Sequence, residues 1–233
     1  MNMSLNVPSK AAPPGASWLE TALRDGVIPS GTFYGAVAST PKGRDRVIDV
    51  LEHAVRILTQ QGLVNLTLRS VARESGITLA NLQHYFPNHE DLVSGLLLYV
   101  ADRYDGEYRV LVNRPFASQM TKLETFIRFH VDDCTRLETT SLFFEIWSMC
   151  QRNDRLARLM DSMYAWHRQQ VERLIDAANP GLTQSELTTR AMLIVAQIEG
   201  LTVLYCHGRL EHPDPETFRK ATIQRAIDIA MAQ

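Results

Sequence analysis

An all-α fold is predicted, and three features of the sequence predict it. Apolar residues recur three and four positions apart from Val47 to Ala230, the spacing that lines one face of a helix, while strand-like alternation does not stand out. Start and stop residues punctuate that pattern at helical intervals: Gly62, Thr67, Gly76, Thr78, Asn88, Pro115, Asn179-Pro180-Gly181, Thr183 and Asp214-Pro215. The third feature is a pair of short helical segments joined by one glycine, from Thr67 to Phe86, followed by much longer helices. The 233 residues, 45% of them hydrophobic, suffice for a sizeable core in a small N-terminal and a larger C-terminal helical domain.

Residues 1–40 are broken by Pro8, Pro13, Pro14, Gly15, Pro29, Gly31 and Gly35 and read as a flexible N-terminal arm. Within it, Trp18, Leu19, Ala22 and Leu23 could form an amphipathic turn that docks on the body, whereas the few cations, Lys10 and Arg24, disfavour an arm that embraces DNA. From Gly43 to Gln61 the stripe Val47, Ile48, Leu51, Ala54, Val55 and Leu58 predicts a helix that Gly62 ends. Thr67 caps the next helix, Gly76 reverses the chain because glycine takes positive φ at no steric cost, and Thr78 caps the helix after it. Asn88 begins a long fourth helix that runs past Leu92, Leu96 and Tyr99 towards Pro115. Five more helices are predicted: Ser118 to Leu137, Thr140 to Cys150, Asn153 to Asn179, Thr183 to about His207 behind the capping box Thr183-x-x-Glu186, and one opened by Asp214-Pro215.

The helix after Gly76 carries the chemistry. At 100° per residue Leu82 and Phe86 share one face, and Ala80, Gln83 and His84 share the opposite one. A small residue, an amide and an imidazole can approach base edges and hydrogen-bond to them, whereas an ordinary surface helix carries Glu and Lys outward. A helical hairpin that only packs is the plainer reading. Net charge is -2, but Lys42, Arg44, Arg46, Arg69 and Arg73 surround the pair, and local charge is what a nucleic-acid reader needs. The residues expected at DNA are Arg44, Thr67, Arg69, Thr78, Leu79, Ala80, Gln83, His84, Tyr85 and His89, with Ala80, Gln83 and His84 on bases and Thr67, Thr78, Tyr85, Arg69 and His89 on phosphates.

In order and spacing, Arg44, Gly62, Thr67, Val71, Ala72, Gly76, Thr78, Leu82, Tyr85-Phe86-Pro87 and Glu90-Asp91-Leu92 resemble the N-terminal domain of the tetracycline-repressor (TetR) family of transcription regulators. The resemblance implies an all-helical homodimer that binds a palindromic double-stranded operator, usually as a repressor, and releases it when a small molecule enters the C-terminal domain. It divides the chain into the arm at 1–40, a helix-turn-helix DNA-binding domain at 41–112 and an effector-binding and dimerisation domain at 113–233. Gln83 stands where the family most often has Tyr, and His89 where Lys is frequent. The first changes the bases read, and the second weakens one phosphate contact near neutral pH.

The effector is expected to be mostly apolar or aromatic and to lie among Phe126, Phe129, His130, Phe143, Trp147, Tyr164, Trp166 and His167, since bundle pockets form between helices and tryptophans carry polar tips. Aromatic stripes at this spacing also serve as plain core. The last two helices bear more apolar surface than one core can bury, which predicts a two-fold dimer through Leu193, Gln197, Gly200, Leu201, Leu204, Phe218, Ile223 and Ile227. Three scattered cysteines, Cys134, Cys150 and Cys206, suit reduced thiols and a cytoplasmic location. No secretory signal or membrane span is expected. No metal or other cofactor is expected, since His130 with Cys134, and Cys206-His207 with His212, each make half a ligand set. No phosphate-cradling loop, nucleophile elbow or catalytic carboxylate pair points to an enzyme. The alternatives are a helical adaptor whose helix pair no longer reads DNA, and a dimeric DNA-binding protein without a small-molecule switch.

Overall fold

A computed structural model describes residues 17–19, 28, 30–205 and 214–232. Among them are nine α-helices: α1 Pro41–Gln61, α2 Leu68–Glu74, α3 Leu79–Tyr85, α4 His89–Val112, α5 Gln119–Cys134, α6 Leu137–Cys150, α7 Asp154–Ala178, α8 Gln184–Leu204 and α9 Pro215–Met231. The only extended pairing among the described residues is an isolated bridge between Phe33 and Ala36.

Capping explains most of the boundaries. Thr40, Thr67, Thr78, Asn88, Ser118, Asn153, Thr183 and Asp214 each accept a backbone N–H of the first turn of their helix. At the end of α2 the N–H of Ile77 bonds Ala72 O and that of Gly76 bonds Arg73 O, with Gly76 at φ 64°. That paired arrangement closes the helix and turns the chain within two residues. Val47, Leu51, Ala54, Val71, Leu82, Phe86, Leu92 and Leu96 are fully or almost fully buried, so α1, α2, α3 and the start of α4 share one core.

Around the rest, α7 packs on α4, α5, α6 and α8, and α9 packs on α5 and α8. Two boundaries differ from the sequence pattern: α5 stops at Cys134, and α6 starts at Leu137 rather than Thr140. Thr140, the expected start, is buried inside α6 and donates back to Leu137 O, and its neighbour Thr139 is buried there too and donates to Asp133. Residues 206–213, with Cys206, His207 and His212, lie outside the described residues.

Part of the expected arm is docked rather than loose. Trp18 is fully buried, and its backbone N–H donates to Asp105 Oδ2 of α4 at 3.2 Å. Tyr34 is buried too, donates its OH to Asp102 Oδ2 at 2.6 Å and meets the Tyr99 ring edge-on at 5.5 Å. Its carbonyl passes so close to α4 that only glycine fits at position 95, where an added Cβ would sit 2.7 Å from Tyr34 O and 2.6 Å from Phe86 Cε1. Gly31, Tyr34 and Gly35 take positive φ and shape a turn, while Pro8, Pro13, Pro14, Gly15 and Pro29 lie outside the described residues.

Candidate nucleic-acid interface and effector region

The α2–α3 pair presents a compact outward face. Ala80, Gln83 and His84 are exposed on α3, Tyr85 is half-buried, and Leu82 and Phe86 are fully buried beneath them. The His84 ring meets Tyr85 edge-on at 5.3 Å. Thr67 forms a reciprocal capping box with Ser70, whose hydroxyl also donates to Asn65 O, so the start of α2 is fixed from three directions. Thr78 accepts from Asn81 N–H at 3.1 Å and stays exposed, as do Arg69 and Thr67. Leu79 is half-buried. Asn81 is exposed beside Ala80, an amide the sequence reading passed over although the helix period places it next to that face.

Two expected DNA contacts carry structural duties. Arg44 is exposed, but its Nε donates to Ala38 O at 3.3 Å and its guanidinium lies 5.5 Å from the Phe33 ring centroid. The Nε2 of His89 bonds Leu66 O at 2.8 Å; a carbonyl only accepts, so Nε2 carries the proton and Nδ1 is the ring nitrogen left over. Both positions tie neighbouring segments to the reading pair.

The eight residues expected around an effector fall into two clusters. In the first, Phe126, His130, Trp166 and His167 gather about Tyr108, with Phe129 against His130. The His130 and His167 rings stack at 4.7 Å. Burial holds both imidazoles below their ordinary range, His167 down to about 4, so the pair is neutral at physiological pH. Trp166 Nε1 and His167 Nε2 are shut from solvent without a hydrogen-bond partner among the described residues. In the second cluster Phe143 lies between Tyr104 and Trp147, and Trp147 Nε1 donates to the Tyr164 OH at 3.1 Å. Tyr164 in turn bonds Glu199, whose carboxyl burial pushes up to about 7. Tyr104, Tyr108 and Glu199 had escaped the sequence reading because each lies on a helix assigned another role.

None of those eight residues lines either of two well-formed cavities among the described residues. One, about 410 Å³, lies at the α8–α9 end beside Leu201, Phe218 and Arg219. The other, about 450 Å³, lies between α1, α4 and the α5–α6 corner. The predicted aromatics fill their own space by stacking. Among the described residues no group of three or more metal-ligating side chains gathers.

Glu145, on α6, turns away from both clusters: its Oε1 accepts the N–H of Leu63 at 3.3 Å, just after α1. Arg155 of α7 pairs with Asp91 in the first turn of α4 at 2.7 Å. These two contacts join the C-terminal helices to the segments flanking the α2–α3 pair.

The association face also divides. Leu201, Ile223 and Ile227, expected at a dimer seam, are only 4%, 4% and 8% exposed and close the subunit's own core. Gln197 spends its amide on Thr222 O at 2.9 Å, and Phe218 is half-buried near Tyr205. Leu193 and Leu204 do lie outward, with Met192, Ala196 and Val203, and an added Cβ at Gly200 would meet nothing within 4 Å. Positions 192, 193, 196, 200, 203 and 204 share about one third of the helix circumference. Apolar residues ring α8 on all sides, so periodicity could not separate its two faces. The same composition makes α8 long and apolar enough to cross a membrane by length and hydropathy alone. Its inner face packs on α5, α7 and α9.

Residues 50–96 match the bacterial regulatory proteins of the tetR family, and residues 120–230 match the C-terminal domain of BetI-type transcriptional repressors. An uncharacterised HTH-type transcriptional regulator from the dhlA 5′ region of Xanthobacter autotrophicus is 29% identical over 167 residues, covering 68% of this chain and 77% of its own. The fold is shared with a putative TetR-family regulator from Rhodococcus sp., at TM-score 0.65 and 19% identity over 81% of this chain and 100% of that one. A TetR regulator from Haloarcula marismortui superposes at TM-score 0.65 and 16% identity over 81% and 99%. A putative transcriptional regulator from Saccharomonospora viridis, solved with choline, does so at 0.59 and 16% over 79% and 94%.

Proposed function

We propose that this chain, which belongs to the tetR family of transcription regulators, is a cytoplasmic homodimeric repressor that reads a palindromic operator through α3 and is released by a small molecule held among α4–α8. The observation that carries the reading is the outward trio Ala80, Gln83 and His84 on a helix clamped from beneath by Leu82 and Phe86. Such a helix enters the major groove as a rigid body, and its amide and imidazole meet base edges. Thr67, Arg69, Thr78 and Tyr85 hold the flanking phosphates, with Arg44 and His89 contributing what their structural bonds leave available. Residues 41–112 form the DNA-binding part and 113–233 the effector and dimerisation part.

The dimer forms through the exposed stripe of α8, with Leu193, Gly200 and Leu204 at the seam, because an apolar helix face of that length is rarely left to water. Two-fold symmetry then sets two α3 helices on half-sites roughly one duplex turn, ~34–36 Å, apart or a variant of that spacing. The effector is an apolar or aromatic molecule with a polar tip, and Trp166 Nε1 and His167 Nε2, which have no partner among the described residues, support that character, since buried polar groups are normally satisfied. A cationic effector is the second reading, favoured by the raised Glu199 carboxyl behind Trp147 and Tyr164. To carry a 1:99 balance to 99:1 the effector must prefer the DNA-incompetent state by ~5.5 kcal/mol. Glu145 on Leu63 and Arg155 on Asp91 are the contacts through which that preference reaches the reading pair.

Linkage makes the switch testable without the physiological effector. Any compound that quenches Trp147 or Trp166 on binding should bind less tightly when operator DNA is present. Equal affinity with and without operator, across several such compounds, would leave a DNA-binding dimer without the switch.

A further inference from the structure

The 450 Å³ cavity lies beside the effector site proposed above and shares Tyr104 with its second aromatic cluster. Its walls come from α1 (Glu52, Arg56), from α4 (Arg103, Glu107) and from the α5–α6 corner (Asp133, Arg136, Glu138), with Val100, Leu142 and Tyr104 between them. Three guanidiniums face four carboxylates, so the lining is nearly neutral yet strongly bipolar. The pairings within it are loose: Arg103 Nη2 stands 3.9 Å from Glu107 Oε1, and Arg136 Nη1 stands 3.8 Å from Asp133 Oδ1. Both exceed hydrogen-bond distance. The firm bond of Arg103 goes to the neutral Tyr99 OH at 3.2 Å, which donates onward to Glu52.

Arg103 and Asp133 are largely withdrawn from water, their side chains 18% and 13% exposed. Burial pushes the Asp133 carboxyl up although Tyr104 and Thr139 both bond it and the Arg136 guanidinium stands 3.8 Å away, so the surrounding groups compensate its charge only in part. We propose that this cavity binds a zwitterionic small molecule, its ammonium against Asp133, its carboxylate on Arg103, and its short apolar spacer along Val100 and Leu142. A singly charged molecule gains at one end and leaves the ionic group at the other end desolvated without a partner. Desolvated, charge-assisted bonds at both ends are the strong kind, and they discriminate against either half alone. Since α1 and the α5–α6 corner both line the cavity, an occupant also ties the segment beneath the α2–α3 pair to the C-terminal helices, and its affinity depends on their relative placement.

Titration calorimetry on the full chain tests the binding independently of any role in transcription. The probes are β-alanine, γ-aminobutyrate and ε-aminocaproate, compared with caproate and hexylamine at one ionic strength. At least one zwitterion should bind about tenfold or more tightly than both singly charged compounds, and Arg103→Gln should remove about tenfold of that affinity while Arg225→Gln, on the far face of α9, leaves it unchanged. Asp133→Asn should equalise the zwitterion and caproate; if that variant fails to fold, the wild-type comparison and Arg103→Gln decide. No zwitterion exceeding both singly charged probes, or full affinity in Arg103→Gln, would overturn the proposal.

Discussion

Replacing Gly95 by alanine strains the crossing of three segments, and its cost can be worked from distances. The new methyl would sit 2.6 Å from Phe86 Cε1, 3.2 Å from Phe86 Cζ and 2.7 Å from Tyr34 O. Carbons in contact lie at about 3.5–4.0 Å, so the ring would have to move by roughly 1 Å. Phe86 is fully buried, and Tyr34 is pinned through its OH on Asp102 and its ring on Tyr99, so neither yields cheaply. Overpacking of this kind costs about 1–3 kcal/mol, and two simultaneous overlaps argue for the upper end. Helix propensity returns up to about 1 kcal/mol, leaving a net loss near 2 kcal/mol. For a chain of this length the midpoint of thermal unfolding should fall by about 4–8 °C. Gly106→Ala on the same helix is the control, since its methyl meets nothing within 4 Å and should raise the midpoint slightly. Far-UV circular dichroism on the two variants compares them directly. A Gly95→Ala midpoint equal to or above that of Gly106→Ala would refute the reasoning. Operator affinity should fall as well, because Phe86 anchors α3 from below.

Three further outcomes follow from the same structure. Gly200→Ala should stabilise the isolated subunit by up to about 1 kcal/mol yet weaken the dimer in sedimentation, since a partner helix would occupy the open space at that Cα; an unchanged dimer would remove Gly200 from the seam. Glu199→Gln tests the raised carboxyl. Relative to its ordinary value of 4.5, the folded value of about 7 means that wild-type stability declines as pH rises from about 4.5 to about 7, so the variant should gain up to about 3 kcal/mol at pH 8 and nothing below pH 4.5. A gain that did not depend on pH would point to packing instead. His167 acts in the opposite direction: its value is lowered from 6.5 to about 4, so the unfolded chain takes the proton first and stability declines as pH falls from about 6.5 to about 4. His167→Phe should flatten that acid limb in a denaturation series run across pH, and an unaltered limb would assign it elsewhere.

The N-terminal helices were legible because their boundaries are local chemistry. Thr67, Gly76, Thr78 and Asn88 act through hydrogen bonds within a few residues, and those bonds form where the spacing predicts. Long-range use of polar groups was not legible. Nothing near Glu145 in sequence indicates that it bonds Leu63, 82 residues away, nor does anything near Trp18 announce Asp105. Leu201 and Leu204 are adjacent turns of one apolar helix, and only the placement of α7 and α9 makes the first core and the second surface. The effector aromatics were identified as individuals, but whether they enclose a space or stack to fill it depends on side-chain geometry that periodicity does not carry.

Selection of bound fragments from a pool of random duplexes, with wild type and Gln83→Ala side by side, tests the central claim most directly. The wild-type protein should enrich an inverted repeat, with retention that falls steeply as salt rises. Gln83→Ala should bind that repeat more weakly by ~1–3 kcal/mol and lose preference at the same position in each half-site while the remaining positions persist. No enriched repeat, or an identical motif from both proteins, would contradict the assignment of α3 as the helix that reads DNA.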